Sequence, residues 1–405
     1  MKRSVPFAVL LVAGGLVISV ALGARQSFGL FVGPIVASHA VSLPLLAFAL
    51  ALQNLIWGIA QPFAGGLADR FGPAPVVAAG AVAYALGLVA VALHPDVVSV
   101  VLGFGVLVGV GLSGMTFAVV ISAVSRAASD AQRATAVAIA AAGGSLGQVA
   151  LVPIAQLAIG ASGFQRALIA LALVAVVAAP LGVLLARPRA ASEAKATADT
   201  AAPQLAGATW PAIWRALRDR DYLFLTAGFF ACGFQLAFIG VHLPTYLSMC
   251  HVAVGIGAAS LATIGFFNII GTFGFGKLAD RYQPQNLLAV LYAIRATSTL
   301  AFLATPPTAL TTLVFAVLMG LTWLGTVPLT NGVVARLFGL HNLGTLFGVT
   351  FLSHQVGSFL GAWLGGVSLQ LTGSYAAVWI ATVVVGYAAA AVNLPIRYRA
   401  AAATA

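Results

Sequence analysis

The chain has 405 residues, of which 61% are hydrophobic and only 7% charged, with a formal net charge of +11. Soluble domains carry about a quarter charged residues, so composition excludes a soluble globular protein and points to an integral membrane one. Apolar runs of about 20 residues, enough to cross a hydrocarbon core of roughly 30 Å, recur along the whole length. The alternating ten-residue segments of a membrane β-barrel do not appear.

Twelve helical spans are predicted, at about 6–34, 43–66, 75–93, 97–124, 134–160, 165–186, 221–248, 256–278, 285–304, 308–335, 344–371 and 375–395. The fold class is an all-α membrane bundle. Its first span could pass for a signal peptide cut near Ala24, but the repeat described below requires that helix to be retained. Gly and Ala are frequent throughout, which lets helices pack closely in lipid. Residues 187–220 interrupt the pattern with a polar, Ala-rich stretch and then "WPAIWRALRDRD", a short basic amphipathic segment suited to the membrane surface. The division is therefore 1–186 as one six-helix half, 187–220 as a linker and 221–405 as the second half.

The basic residues are distributed asymmetrically. Segments on the side of the termini hold sixteen Lys and Arg residues, from Lys2 to Arg399, against Arg166 alone on the other side. By the positive-inside rule both termini are expected in the cytoplasm, in an inner membrane. This distribution speaks against nucleic acid as a partner despite the net charge. Cys232 and Cys250 lie in or at the end of one predicted helix and offer neither a metal site nor a disulfide framework.

The halves repeat. "GARQSF" at 23–28 leads to Pro34, and "GFQLAF" at 233–238 leads to Pro244 with the same spacing. "GGLADR" at 65–70 matches "GKLADR" at 276–281. The offsets, 210 and 211 residues, differ by only one, and such repeats are how many transporters build a central site between halves.

Twelve spans, a long central loop and "GGLADRFG" after span 2 resemble the major facilitator superfamily. "GGSLGQVALVPIAQ", "GVHLPTYL" and "SHQVGSFLGAWLGG" are similar to bacterial members of its monocarboxylate and oxalate–formate transporter group. The resemblance implies a two-half carrier, working by alternating access, that moves small carboxylates. It also implies that Asp69, Arg70, Asp280 and Arg281 form a cytoplasmic gate of charge pairs in the loops after spans 2 and 8. One departure stands out: the group usually carries an arginine in span 8, where this chain reads "FFNIIGTFGFGKLAD".

The polar residues inside the spans are unbalanced. All eight acids fall in predicted loops, termini or the linker, whereas Arg25 and Arg295 lie within spans. A guanidinium stays charged in a protein and costs at least about 2.5–3.5 kcal/mol at the centre of a membrane helix. Two positive charges without a counter-ion favour an anionic ligand, and a carboxylate can pair with a guanidinium through two hydrogen bonds. Arg25 aligns with Gln235 in the repeat. Arg295 lies about 12–15 Å into span 9 at 1.5 Å per residue, with Asn268 as a structural partner if it does not touch the ligand. His354 can carry a coupled proton or bond a carboxylate, because imidazole titrates near neutrality. The expected substrate-binding set is Arg25, Gln235, Arg295, His242, His354 and Gln355. Gln53, Asn54, Gln61, Gln148 and Asn331 are expected to join helices, and Trp57, Tyr292 and Trp323 to pack or wall a small cavity.

No phosphate loop, metal-ligand cluster or catalytic triad is present, so no enzyme activity, cofactor or metal is expected. The function expected is a monomeric secondary transporter for a small organic anion, coupled to protons. The competing reading is a proton-coupled exporter of amphiphilic compounds, disfavoured by Gln148 where the efflux motif has proline. A sensor of similar architecture would add a soluble signalling domain.

Overall fold

The computed structural model describes residues 6–38, 41–128, 133–185, 209–279, 281–338 and 343–397, and no strand occurs among them. Ten helical stretches are long and apolar enough to cross a membrane. One of them, Ala136–Leu184, runs 49 residues, about 74 Å if straight. It is two spans, because the chain turns at Gly163, where φ is 82°. Leu343–Thr372 has the length of a span but is made more polar by His354, Gln355 and Gln370. With it the bundle has twelve.

Span 1 comprises Phe7–Gln26 and Phe28–Ala37, bent at Ser27. Span 2 is Leu43–Phe71 and span 3 is Pro73–Leu93. Span 4 is Val97–Ala127, and spans 5 and 6 flank Gly163 within Arg133–Leu184. A short helix, Thr209–Ala216, precedes span 7, Arg220–Met249. Span 8 is Val254–Leu278, span 9 is Pro284–Leu303 and span 10 is Ala309–Phe338. Leu343–Thr372 is span 11 and Ala376–Asn393 is span 12. Twelve passes place the two ends of the chain on one face, here the terminal face; the opposite one is the distal face.

Local chemistry explains the ends. Asp96 and Ser99 form a reciprocal capping box that starts span 4. Thr308 and Thr311 do the same for span 10. Asp219 starts span 7 by accepting from the amides of Asp221 (2.9 Å) and Tyr222 (3.1 Å). The segment "GGLADR" differs from expectation: it is helical, not a loop. Nothing in it breaks a helix until Gly72, which takes φ 88°, and Pro73, which occupies the first turn of span 3.

Small residues bring helix backbones into contact. A Cβ on Gly147 of span 5 would stand 1.9 Å from the Ser19 carbonyl oxygen of span 1. At the repeat-related pairing, a Cβ on Gly233 of span 7 would stand 1.8 Å from the carbonyl oxygen of His354 in span 11.

Spans 1–6 and 7–12 meet along a seam that runs from the distal face to the middle of the bundle. Near the distal face, Gly29 lies against the Gly240 carbonyl and Gly366 against Ala47. At mid-depth, Gln355 donates to the Asn54 carbonyl at 2.9 Å, Gln148 to the Leu261 carbonyl at 2.6 Å, and Asn268 to Ser145 Oγ at 2.8 Å. The described bundle is thus sealed on its distal side.

Spans 4 and 10 are both interrupted at mid-depth. In span 4, Thr116 leaves the helical region with φ −125° and ψ −142°. Span 10 stops at Thr322 and resumes at Thr326. Each break is held by the neighbouring helix. The Trp57 indole donates to Thr116 Oγ1 at 3.0 Å, and Asn268 Oδ1 accepts from the Leu324 amide at 2.9 Å. Trp57 and Asn268 are 211 residues apart, so they are equivalent positions in the repeat.

Candidate functional site

The middle of the bundle holds two polar clusters, each built around one arginine. In the first, Arg25 projects from span 1 just before the bend at Ser27 and is half-buried. Its Nη2 donates to Asn54 Oδ1 at 2.5 Å and its Nη1 to Gln26 Oε1 at 3.2 Å. The guanidinium carbon stands 5.4 Å from the Trp57 ring centroid, within cation–π range. Nε is buried without a partner. The helix pitch puts Asn54 and Trp57 on one face of span 2. Gln26 then donates to Gln148 Oε1 at 3.1 Å, and Gln148 reaches span 8. Every described acceptor of Arg25 is a neutral amide oxygen.

Residues of the second half complete this cluster. Trp57 meets Phe351 of span 11 edge-on at 5.8 Å, and Phe351 stacks on His354 at 5.7 Å. Phe117 stacks on Trp57 from span 4 at 6.0 Å. His354 is half-buried, with Nδ1 3.1 Å from Gln355 Oε1 and its ring 4.8 Å from that of Phe229. Gln355 is buried and bridges from His354 to the Asn54 carbonyl. Arg25, His354 and Gln355 are therefore brought together, through Asn54 and a run of aromatic rings.

The second cluster is closed. Arg295 is 0% exposed. Its Nη2 donates to the carbonyl oxygens of Thr322 and of Trp323, the latter at 3.1 Å. Its Nη1 donates to Gln235 Oε1 at 3.2 Å and contacts the Cys232 sulfur at 3.5 Å. Thr322 ends the first part of span 10, where helix carbonyls lose their partners and a cation is favoured by the helix dipole. Gln235 passes the chain of bonds to the Thr382 carbonyl of span 12 at 2.9 Å. Asn268 is not a partner of Arg295; it holds the next turn of the same break.

The two clusters are related by the repeat. Arg25 corresponds to Gln235, and at the 211-residue offset Tyr84 corresponds to Arg295. Arg25 and Tyr84 lie within electrostatic reach of each other, as Gln235 and Arg295 are hydrogen-bonded. Each half thus carries one guanidinium at one of these two repeat-related positions, on span 1 in the first and on span 9 in the second. Tyr84, whose hydroxyl donates to the Ala21 carbonyl at 3.2 Å, is legible in the sequence only through that offset. Gln26, Phe117 and Phe351 were not singled out because nothing in local sequence sets them apart from packing residues.

His242 lies apart from both clusters and is fully buried. Its Nε2 faces the Ala362 carbonyl at 2.7 Å and its Nδ1 the Tyr375 hydroxyl at 3.0 Å. A carbonyl can only accept, so Nε2 carries the proton and the ring is satisfied as a neutral imidazole. Of the four gate residues, Arg70 and Arg281 are exposed; the Asp69 side chain and Asp280 lie outside the described residues. A cleft at the terminal face, lined by Asp219, Arg220, Asp221, Pro395 and Arg397, is separate from the central clusters. Among the described residues no group of His, Cys, Asp or Glu could hold a metal ion.

A sealed helical bundle with polar groups gathered at mid-membrane, between two related halves, is the architecture of a membrane carrier. The chain belongs to the Major Facilitator Superfamily, whose family model matches residues 11–362. It is 29% identical over 364 residues to an uncharacterized MFS-type transporter, YcxA, of Bacillus subtilis, covering 87% of this chain and 85% of that one. It is 25% identical over 359 residues to monocarboxylate transporter 13 of Rattus norvegicus, covering 88% and 81%. Among solved structures it resembles a bacterial homolog of the human lysosomal transporter Spinster in an inward-facing and occupied conformation, with TM-score 0.73, 15% identity and coverage of 95% and 96%. It also resembles the inward open xylose transporter XylE of E. coli, with TM-score 0.71, 15% identity and coverage of 98% and 97%. The protein is a multi-pass membrane transporter with an alternating-access fold, not an enzyme.

Proposed function

We propose that this transporter moves a small organic anion of the monocarboxylate kind, driven by protons, and that Arg25 is its counter-charge. One observation carries the reading. Arg25 is a half-buried charged side chain at mid-membrane, less enclosed than the fully buried Arg295, whose described acceptors are all neutral and whose Nε has none. An entering carboxylate supplies the missing negative charge through a charge-assisted pair. The similarity to a protein named monocarboxylate transporter 13 points the same way. Gln355 and His354 flank the anion from the second half, and His354 or the substrate carboxyl carries the proton. Arg295, Gln235 and His242 are assigned to holding helices together, because all three are fully buried and both Arg295 Nη atoms, the Gln235 amide and both His242 ring nitrogens are engaged there; Arg295 Nε, like that of Arg25, has no partner.

In this reading the halves 1–186 and 221–405, joined by 187–220, rock about the bound anion, and Asp69, Arg70, Asp280 and Arg281 clamp the terminal face. The excess of Lys and Arg at that face makes it cytoplasmic, in an inner membrane. The protein works as a monomer. The test is a thermal-shift screen of purified protein against mono- and dicarboxylates. A ligand at 100 times its dissociation constant stabilises by about 2.7 kcal/mol. Stabilisation by carboxylates that disappears in Arg25→Gln supports the proposal. Stabilisation by amines or neutral sugars alone refutes it.

A further inference from the structure

We infer that the preferred anion is an aryl monocarboxylate: one carboxylate on Arg25, and a flat aromatic body taken between Trp57 and Phe351. The inference rests on the anion reading above and adds to it the charge number and shape of the substrate.

The charge number follows from which cations a ligand can reach. Of the two arginines at mid-membrane, Arg295 is fully buried, and both its terminal nitrogens are donating to the protein. Arg25 is the less enclosed of the two, half-buried beside Trp57. A second carboxylate on the ligand would find no second guanidinium; its one remaining partner is His354 in the protonated form, and without that proton it would have to leave water unpaired, which is strongly disfavoured in the membrane interior.

The shape follows from the walls. The side chains between Arg25 and His354 are rings, in the order Trp57, Phe351, His354, at 5.4 Å from Arg25 to Trp57, then 5.8 Å and 5.7 Å. Trp57 and Phe351 come from opposite halves, so their edge contact must part when the halves rock. Phe117 and Arg25 already cover the other parts of the Trp57 ring, so a short aliphatic acid would satisfy Arg25 and leave uncovered the surfaces where Trp57 and Phe351 had met. An aromatic body replaces the lost ring contact on both sides with offset or edge-on geometry. Gln355, packed on Gly58, closes the space beside them.

Isothermal titration of the purified protein with five probes tests this: phenylacetate, cyclohexylacetate, propionate, phenylsuccinate and phenylacetamide. Phenylacetate is expected to bind about tenfold tighter than propionate, and tighter than cyclohexylacetate, which matches it in size. Phenylsuccinate should bind more weakly than phenylacetate, and neutral phenylacetamide not measurably. Phe351→Leu should bring phenylacetate down to the affinity of cyclohexylacetate while propionate is unchanged; its melting temperature verifies folding, and Trp57→Leu is the second variant. Propionate binding as tightly as phenylacetate, in an Arg25-dependent manner, overturns the aromatic preference and leaves the anion reading standing. A preference for phenylacetate that persists in both ring variants overturns the assigned residues. Tight phenylsuccinate binding overturns the single-charge argument. Failure of all the carboxylates to bind overturns both this inference and the reading beneath it.

Discussion

Replacing each mid-membrane arginine by glutamine separates a structural guanidinium from a ligand-binding one. Arg295→Gln strands three buried acceptors: the carbonyls of Thr322 and Trp323 and the Gln235 amide oxygen. At about 1–3 kcal/mol each, the loss is about 3–9 kcal/mol. Removing a buried membrane charge returns about 2.5–3.5 kcal/mol, leaving a net destabilisation of about 3 kcal/mol near the middle of the range. Arg25→Gln removes donors from Asn54, a buried residue, and from Gln26, a half-buried one; a loss of about 1–3 kcal/mol at the first and less at the second is offset by the same return of about 2.5–3.5 kcal/mol on removing the charge. Its net effect on stability is therefore close to zero. The assay is thermal unfolding in detergent, followed with a thiol-reactive dye that reports exposure of the buried Cys232. Arg295→Gln should melt several degrees below wild type, and Arg25→Gln at or near it. Arg295→Gln with wild-type stability, or Arg25→Gln strongly destabilised, would refute the division of roles.

Trp57→Phe keeps a ring beside Arg25 but removes the indole bond to Thr116; anion affinity should stay within about twofold of wild type while turnover falls, as read by titration and by counterflow into proteoliposomes. Gly29→Ala places a Cβ 2.3 Å from the Gly240 carbonyl oxygen, so the distal seam cannot close, and spin-label distances between the distal ends of spans 1 and 7 should lengthen. Asp96 accepts from the Ser99 amide, and that bond, together with the Ser99 hydroxyl, holds its exposed carboxyl below the usual carboxylate range. A lowered folded value means the cap stabilises above the unfolded value of about 3.9 and is lost as pH falls through the folded one. At pH 7 wild type should melt above Asp96→Ala, and the two should converge in strong acid.

How much was legible in the sequence depended on the range of the interaction involved. Span positions follow from unbroken apolar runs, and the pairing of halves follows from two motifs at nearly one offset. Spans 5 and 6 are expected at 134–160 and 165–186, and the turn falls in the gap between them, at Gly163 with positive φ. "GGLADR" is expected in a loop from its resemblance to the family's signature loop, yet charge at a membrane boundary does not stop a helix, and span 2 continues to Phe71. The partners of Arg295 could not be read at all. Besides Gln235 they are backbone carbonyls exposed by the break in span 10; Pro328, in the first turn of the resumed helix, announces the break but not the side chain that satisfies the carbonyls it frees. His242 and His354 look alike in sequence; only packing shows that one has both nitrogens engaged in the interior while the other faces the central cluster.

The most direct test of the account is counterflow of a labelled monocarboxylate, phenylacetate, into proteoliposomes holding wild type, Arg25→Lys or Arg25→Gln. The account predicts saturable uptake by wild type that excess unlabelled phenylacetate suppresses. It predicts weaker uptake for Arg25→Lys, whose ammonium lacks the planar two-donor fork, and none for Arg25→Gln although that protein is folded. Uptake by Arg25→Gln equal to wild type would contradict the claim that Arg25 is the substrate's counter-charge.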